Sequence, residues 1–412
     1  MQEQPRYAVG IDVGTTVIRC VVGHVDPATG TPTIVGVGQA PNSGMRKGTV
    51  VNLNGPAHAI DQALGEAERM SGYEVNSATI SVNGAHILST RADGMIAVGT
   101  AGQEIVEADL RRLEDVATTG KVPANREVLE VVPFSYTLDG QGNIKDPIGM
   151  SGTRLEINAN VVSAMTPYVK NLEKASELAT VVPNATVPSV VAAAKAVLTE
   201  QQIESGVAVI DLGGSTTGIS VFEEGDLQYV GVVPMGGVNI TNDLAIGLKT
   251  DPEIAEQVKL QHAVASGSRE NKLVSVKQEK EVLSFNTDDI DEIVGARLEE
   301  IFELINKELK KAGRAGQLPS GVVLVGGTAS LKGIAESAKE HLGVAARVGK
   351  ASGFGGVADN IDKPEYATVV GLMLVDAEAS RERTQKSHGG PSGASLKNAG
   401  GFIQGIFSRF KM

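Results

Sequence analysis

The 412-residue chain contains a single cysteine and no long hydrophobic run. Cys20 has no second cysteine to pair with, and its apolar neighbours predict a buried structural thiol in a reducing compartment such as the cytoplasm. No apolar run approaches the roughly 18 residues that a membrane-spanning helix needs, and the polar residues 1–7 do not resemble a secretory signal. The sequence therefore predicts a soluble body that is long enough for about two to four domains.

The chain also lacks the basic surplus that a general nucleic-acid binder needs to displace counterions. Its formal net charge is −12 at pH 7. Between residues 380 and 412, however, six Lys or Arg residues stand against one acid, so this tail has a charge of +5 and the rest of the chain −17. We therefore expect no nucleic-acid partner, and an acidic globule that ends in a basic tail.

Apolar runs that end in Gly or Asp alternate with longer amphipathic stretches, a pattern typical of a mixed α/β protein. Short strands are predicted at 7–13 and 17–22 around a Gly-Thr-Thr turn, and at 207–212 and 218–222 around a second turn of that kind. Both hairpins have the order of apolar strand, Asp-x-Gly, small hydroxyl residues and second strand. Such a degenerate repeat predicts a duplicated, two-lobed protein.

Each predicted hairpin carries the parts of a phosphate-binding loop. Phosphates need backbone N–H donors at close range, which requires Gly, and a carboxylate that holds Mg²⁺ through its water ligands. Asp12 and Asp211 are the predicted Mg²⁺ carboxylates and also belong to the predicted nucleotide site. The other predicted residues of the two loops are Gly14, Thr15, Thr16, Gly213, Gly214, Ser215 and Thr216.

One Asp-x-Gly loop alone is more often a plain turn, but a matched pair reverses that expectation. Two further Gly pairs follow apolar strands, at Gly236–Gly237 and Gly326–Gly327. Each could be a tight turn by itself. Together, and in this order, the four sites predict one nucleotide pocket in which two loops clamp a polyphosphate between the lobes.

Three other segments have their own patterns. Residues 84–162 are rich in turns and short strands, with a helix around 107–117, and predict a small inserted subdomain. Residues 288–313 keep helical apolar spacing and predict a long amphipathic helix. Residues 377–400 are dominated by small and polar side chains, which predict a disordered linker.

After the predicted linker, five apolar side chains fall within one arc of a helical wheel, opposite Gln404 and Ser408. Arg409 and Lys411 can meet anionic headgroups, so residues 401–412 predict an amphipathic helix that targets the membrane interface. The alternative is that this short apolar terminus docks on the globule. The five apolar residues are Phe402, Ile403, Ile406, Phe407 and Phe410.

The segments 10–16, 211–217 and 321–329 resemble the two phosphate motifs and the adenosine motif of the actin, Hsp70 and sugar-kinase superfamily. Within it, the insertion, with its Ile-Gly-Met-Ser-Gly stretch at 148–152, resembles the FtsA family of bacterial cell-division proteins. The resemblance covers nearly the whole chain. It implies an actin-like two-lobed α/β fold with an FtsA-type subdomain inserted in lobe one and a C-terminal amphipathic helix.

The resemblance also implies a function. An FtsA-like protein binds ATP with Mg²⁺, assembles with copies of itself and anchors FtsZ filaments to the cytoplasmic face of the cell membrane at the division site. Its expected partners are the FtsZ C-terminal tail, anionic lipids and later division proteins. The resemblance implies that Glu256 and Lys259 reach the nucleoside, with a solvated helix face as the alternative. It further implies that Arg297 and Glu300 dock the FtsZ tail, although a solvated ion pair explains Arg297 equally well.

The implied division of the chain follows the two lobes. The predicted segments are 1–83 and 163–197 for the lobe one core, 84–162 for the inserted subdomain, 198–236 and 317–376 for the lobe two core, 237–316 for the small subdomain of lobe two, 377–400 for the linker and 401–412 for the membrane helix.

Val17, Val187 and Gly218 stand where many superfamily members carry charged residues. Because phosphoryl transfer depends on positioning and charge stabilisation, we expect a nucleotide-binding scaffold with at most very slow ATP hydrolysis, and we predict no catalytic residue. Thr328 also replaces a small glycine that is common in the adenosine motif. The alternatives are a pilus-assembly-type scaffold, which does not predict the terminal helix, and a small-molecule kinase, for which the chain offers no evident base.

Overall fold

The computed structural model describes residues 5–99, 102–267, 269–278, 281–356 and 361–387. Its strands are β1 (Arg6–Val13), β2 (Val17–Val25), β3 (Pro32–Pro41), β4 (Met45–Arg46), β5 (Thr49–Val50), β6 (Ser77–Val82), β7 (Leu88–Ala97), β8 (Arg126–Leu138), β9 (Gln141–Ile144), β10 (Arg154–Met165), β11 (Val182–Pro188), β12 (Val207–Leu212), β13 (Thr217–Glu223), β14 (Asp226–Val233), β15 (Leu273–Gln278), β16 (Glu281–Asn286), β17 (Val322–Val325) and β18 (Ala346–Val348). Its α-helices are α1 (Asn54–Ser71), α2 (Glu107–Thr118), α3 (Thr166–Leu178), α4 (Ser189–Val197), α5 (Glu200–Ser205), α6 (Gly237–Gly247), α7 (Pro252–His262), α8 (Thr287–Lys311), α9 (Ile334–Leu342) and α10 (Ala367–Ser387).

The two lobes have the same sheet order. Lobe one is built on β3-β2-β1-β6-β11 and lobe two on β14-β13-β12-β17-β18. In both, an antiparallel meander of three strands is extended by two parallel strands, because β1 pairs in parallel with β6 and β12 with β17. This equivalence confirms the duplication predicted from the two hairpins, whose strands lie at the predicted positions.

The strands that precede the two loops lie at the centre of their sheets. All residues of β12 are buried, and β1 is buried over most of its length. Helix α10 packs against β1 and helix α4 against β12, and these two central strands are mostly continuous apolar runs. Asp12 and Asp211 therefore lie near the carboxyl ends of central strands, the edge at which open α/β sheets bind ligands.

The inserted subdomain has its own sheet and core. Its strands have the order β7-β10-β8-β9, and α2 packs against β7. Leu113, Tyr136 and Ile157 belong to a core cluster separate from those of the lobes. The helix predicted at 107–117 is confirmed by α2, and the alternation that predicted strands here is confirmed by β8.

The small subdomain of lobe two comprises α6, α7, β15, β16 and α8. The long helix predicted at 288–313 is confirmed by α8, which buries one stripe that includes Val294, Leu298 and Ile305. This stripe shares a core with the outer face of the lobe two sheet, so the small subdomain is packed on lobe two rather than tethered to it.

Helix α10 contradicts two predicted boundaries. It continues to Ser387, so the predicted start of a linker at 377 is wrong. The composition was misleading because Ala377 and Ala379 are small residues that are nevertheless buried, and Ala favours helix. Residues 367–376 were assigned to lobe two, but α10 packs on β1 and α4 in lobe one.

The predicted membrane helix at 401–412 and the linker residues 388–400 lie outside the described residues. Within the described ranges, no helix is both long and apolar enough to cross a bilayer.

Candidate nucleotide-binding site

The two predicted phosphate loops meet between the lobes. A Cβ atom on Gly214 of the second loop would lie 2.7 Å from Oγ1 of Thr16 in the first loop. From lobe one, Asn83 Nδ2 donates a hydrogen bond to Thr216 Oγ1 at 3.0 Å. In the first loop, Thr15 Oγ1 accepts from Gly48 N at 3.1 Å, which fixes that hydroxyl at the turn. The paired loops of the sequence are thus neighbours in the fold.

The two predicted Mg²⁺ carboxylates interact electrostatically. Burial raises the pKa of Asp12, against a hydrogen bond that its Oδ1 accepts from Ser81 Oγ at 2.8 Å. Burial, and then the charge of Asp12, raise the pKa of Asp211 to about 7, against hydrogen bonds with Thr368 and Ser189. Two close, buried carboxylates destabilise each other's charged form, and a divalent cation would relieve both. The pair therefore fits a Mg²⁺ ion held through water.

The second loop has open hydrogen-bonding capacity. Ser215 Oγ is buried without a hydrogen-bond partner, which is costly unless a ligand supplies one. Gly237 N donates to Gly213 O at 3.0 Å, so α6 begins directly on the loop and brings the positive end of its dipole there. A Cβ atom on Gly236 would lie 2.5 Å from Gly213 O, so this approach requires glycine. The loop fits a phosphate group.

The adenosine motif closes on the same loop. Gly326 has a φ of +86°, and a Cβ atom there would lie 2.5 Å from Asp211 Oδ1. Gly327 begins the short 3₁₀ turn that follows β17. Thr328 Oγ1 donates to Gly213 O at 3.0 Å. The threonine that stands in place of the motif's glycine therefore connects the adenosine motif to the second phosphate loop.

Lys259 and Glu256 project from α7 towards this junction. Lys259 is only 8% exposed, and its Nζ donates to Gly237 O at 3.2 Å, Thr241 Oγ1 at 2.8 Å and Glu256 Oε2 at 2.6 Å. A solvated helix face, the alternative for this pair, is therefore wrong for Lys259. The ammonium lies beside the start of α6, because Gly237 is the first residue of that helix.

Known proteins resemble the chain along nearly its whole length. The family model for "Cell division protein FtsA" matches residues 208–371, and the model for "SHS2 domain inserted in FTSA" matches residues 84–163. The cell division protein FtsA of Pseudomonas aeruginosa is 33% identical over 394 residues, which are 95% of this chain and 94% of that protein. The chain belongs to the FtsA family. The FtsA proteins of Bacillus subtilis and Escherichia coli K12 are 34% and 31% identical, over 92% and 91% of this chain and 85% and 91% of their own.

Solved structures place the FtsA family fold of this chain among actin-like proteins. A type IV pilus biogenesis complex of PilM and PilN superposes with a TM-score of 0.65 at 16% identity, covering 90% of this chain and 98% of that one. An MreB protein of Spiroplasma citri bound to ADP superposes with a TM-score of 0.52 at 12% identity, covering 93% and 99%. At these identities the likeness concerns the fold, and it confirms the predicted actin-like architecture with its FtsA-type insertion.

Arg19 is a residue of the cleft that the sequence motifs did not single out. In the β1–β2 hairpin it stands opposite Asp12, and its charge lowers the pKa of both Asp12 and Asp211 against the larger effect of burial. Its guanidinium carbon lies 5.2 Å from the centre of the Tyr366 ring. A cation that is missing at Val17 is thus present two residues later, on the same strand.

Val187 and Gly218 are the other two positions at which many superfamily members carry charge, and neither has a charged residue within two positions of it. Val187 is buried in β11 and pairs with Ser81, and Gly218 pairs with Asp211. A Cβ atom on Gly218 would lie 3.0 Å from Val190 Cβ, so a larger side chain there would push against α4. The packing itself disfavours a carboxylate at position 218.

The predicted FtsZ-docking residues form ion pairs within lobe two. Arg297 Nε and Nη2 both donate to Asp243 of α6, the second at 3.0 Å, and Nη1 donates to Glu300 Oε2. The Arg297 side chain is 21% exposed, so it is partly buried between these two acids. The structure therefore shows the ion pair that was the alternative, and the docking role stays a prediction. The predicted membrane residues, 402–411, lie outside the described residues.

Proposed function

We propose that this FtsA-family chain binds ATP with Mg²⁺ between its lobes and uses the nucleotide to control a scaffold that anchors FtsZ filaments to the cytoplasmic membrane. The observation that carries the nucleotide part is the junction at which Thr16 abuts Gly214 beside the partly buried Asp12 and the buried Asp211. The structure of the MreB protein of Spiroplasma citri is bound to ADP, which supports a nucleotide ligand for this fold.

Each residue of the junction has a role in this proposal. Asp12 and Asp211 hold the waters of Mg²⁺, which neutralises phosphate charge and orients the phosphates. The second loop offers backbone amides and the free hydroxyl of Ser215 to a phosphate, and α6 adds its dipole. Lys259 and Glu256 face the nucleoside. Hydrolysis is slow at best, because Val187 and Gly218 provide no carboxylate to position an attacking water.

The membrane part of the proposal rests on the terminal segment. Five apolar side chains at about 1.5–3 kcal/mol each give a gross gain of about 10 kcal/mol, from which the cost of ordering a short helix must be subtracted. A single copy is therefore a weak, reversible anchor. If copies assemble on a surface, linked anchors act at high effective concentration, so assembly and membrane residence reinforce each other at the division site.

Two other functions fit less well. The pilus-assembly alternative is supported by a likeness of fold at 16% identity, whereas the relative that covers 95% of the chain at 33% identity is a cell division protein. A small-molecule kinase needs a catalytic base near the phosphates, and neither Val187 nor Gly218 provides a carboxylate there.

Calorimetric titration of ATP, with and without Mg²⁺, tests the nucleotide site. Ser215→Ala should weaken ATP binding about tenfold or more, since a hydrogen bond to a charged group contributes roughly 1.5–3 kcal/mol. Ser176→Ala is the matched control, because Ser176 Oγ is also buried without a partner but lies in α3, away from the cleft. Equal ATP affinity in the two variants would rule out the proposed contact, and no binding by the unmodified protein would rule out the site.

A further inference from the structure

The inserted subdomain contacts both lobes. It is joined covalently to lobe one at residues 83–88 and 163–166, yet three of its side chains bond to the turn end of the β13–β14 hairpin, residues 223–228 of lobe two. These bonds run from Lys145 Nζ to Asp226 Oδ2 at 2.8 Å, from Asn160 Nδ2 to Leu227 O at 3.2 Å, and from Arg91 Nη2 to Gln228 Oε1 at 3.1 Å.

Two of these contacts each have one buried polar partner. Asp226 is 4% exposed and Asn160 1%, so neither polar group has water as an easy substitute. The amide of Asn160 is oriented by Ser89 Oγ, which donates to its Oδ1 at 2.6 Å. Lys145 Nζ also donates to the backbone oxygen of Phe134 at 3.0 Å. Removal of the Lys145 ammonium would destabilise this contact, because the buried carboxylate of Asp226 would lose a cation.

Strands β13 and β14 connect this turn to the nucleotide site. β13 begins at Thr217, directly after the second phosphate loop, and β14 ends just before the Gly236–Gly237 pair that contacts the loop. The ladder pairs Thr217 with Val233 at the loop end and Glu223 with Asp226 at the turn end. The ladder is continuous apart from one register shift between Val221 and Phe222, so we expect displacement of the phosphate loop to displace the turn as well.

The root of the inserted subdomain reaches the same loop from the other side. Asn83 donates to Thr216 Oγ1, and the backbone oxygen of Asn83 contacts His86 Nε2 at 3.0 Å. Arg126 then joins the two chain crossings, because its Nη2 donates to the backbone oxygens of His86 and Ser163. The inserted subdomain is therefore fixed near both ends of the β13–β14 ladder.

We propose that the inserted subdomain is a strap across the cleft, whose bonds to residues 223–228 hold lobe two closed on lobe one. Opening of the cleft must break the Lys145–Asp226 and Asn160–Leu227 bonds and so free the inserted subdomain from lobe two. Lobe closure and the position of the inserted subdomain are then one equilibrium, and any ligand that favours the closed state shifts both. The coupling to nucleotide rests on the proposed function; the strap itself does not.

The strap is tested by interlobe distances in the full-length protein without nucleotide. Spin labels at Glu177→Cys on α3 and Glu340→Cys on α9 report the two lobes, and the buried Cys20 should not react. Double electron–electron resonance should show longer and broader distances in Lys145→Met than in the parent. Lys121→Met is the matched control, because Lys121 pairs with Asp93 at 3.5 Å within the inserted subdomain.

Arg91→Met is a second variant at the edge of the same contact, in case the loss of Lys145 prevents folding. Unchanged distances in every folded strap variant would overturn the proposal. In a second arm, ATP should dissociate from Lys145→Met at least about fivefold faster than from Lys121→Met, the lower range of coupling between sites. Changed distances with an unchanged dissociation rate would overturn the coupling alone. If the unmodified protein binds no ATP, the proposed function fails while the distances still decide the strap.

Discussion

Asp211 is the residue at which function and stability oppose each other. Its carboxyl is 7% exposed and close to Asp12, and its pKa is raised from an ordinary 3.8 to about 7. Between these values the folded state binds a proton that the unfolded state has released, so stability falls as pH rises through this window, and the full penalty applies above pH 7. A Mg²⁺ ion would remove the penalty.

Replacing that carboxyl should therefore stabilise the free protein. Asp211→Asn is expected to raise the melting temperature without nucleotide, and more at pH 8 than at pH 5, because the amide cannot ionise. The same variant should lose the Mg²⁺-dependent part of ATP binding. Thermal unfolding at both pH values is the measurement, with Asp61→Asn on the exposed face of α1 as control. A lower melting temperature for Asp211→Asn at pH 8 would contradict this account of the site.

Arg297 raises a second residue-scale question, because Asp243 and Glu300 already accept its hydrogen bonds. If Arg297 docks the FtsZ tail, its internal partner competes with the peptide carboxylate. Asp243→Asn should then tighten binding of an FtsZ tail peptide, and Arg297→Glu should weaken it, each by several-fold in a fluorescence anisotropy titration. Unchanged affinity in both variants would leave Arg297 as a structural ion pair.

Local sequence motifs identified the site residues that lie on the loops. They missed the residues that reach the site through the pairing of distant strands. Asp12 and Asp211 were predictable because a strand, an acid and a glycine are adjacent in the chain. Asn83 and Ser81 reach the site only because β6 lies in parallel beside β1, a pairing that no local pattern specifies. The partner of Arg297 could not be predicted either, because Asp243 lies on another helix.

At the scale of elements, α10 shows where composition misleads. Its apolar half is buried against β1 and α4, and this approach depends on Gly371, where a Cβ atom would lie 1.8 Å from Ala192 O. A sequence window sees small and polar residues after position 376, whereas the fold uses the smallest of them to continue a buried helix. The limit of the linker was therefore set by packing that a window cannot detect.

Substitution of Gly371 tests that packing. Gly371→Ala should lower the free energy of unfolding by about 1–3 kcal/mol, as expected for an overpacked core, because the new methyl group meets backbone rather than a flexible side chain. Gly295→Ala in α8 is the matched control. A Cβ atom there meets nothing within 4 Å, so alanine should stabilise the helix by roughly 0.5–1 kcal/mol. Denaturant titration measures both, and equal stability of the variants would contradict the packing of α10.

For the whole molecule, the proposed switch requires that the cleft, the assembly of copies and the tail act together. A cleft that holds ATP without rapid turnover can set one lobe arrangement for long periods, since neither Val187 nor Gly218 offers a carboxylate to speed hydrolysis. Protomers that are all closed present the same surfaces to each other, and repeated contacts between copies require such identical surfaces. In the proposed switch, assembly then strengthens membrane binding, because many weak anchors are linked together.

A substitution in the tail should disrupt membrane binding and leave the nucleotide site intact. Phe407→Asp should abolish co-sedimentation with anionic vesicles, because it places a charge in the apolar arc of the predicted helix. Gln404→Asp, with the same side chain on the opposite face, should bind nearly as well as the parent. ATP affinity should be unchanged in both variants, since the tail takes no part in the proposed cleft. If assembly supplies the avidity, Mg²⁺ and ATP should strengthen vesicle binding of the parent and not of Phe407→Asp. Persistent vesicle binding by Phe407→Asp would show that some other surface carries the protein to the membrane.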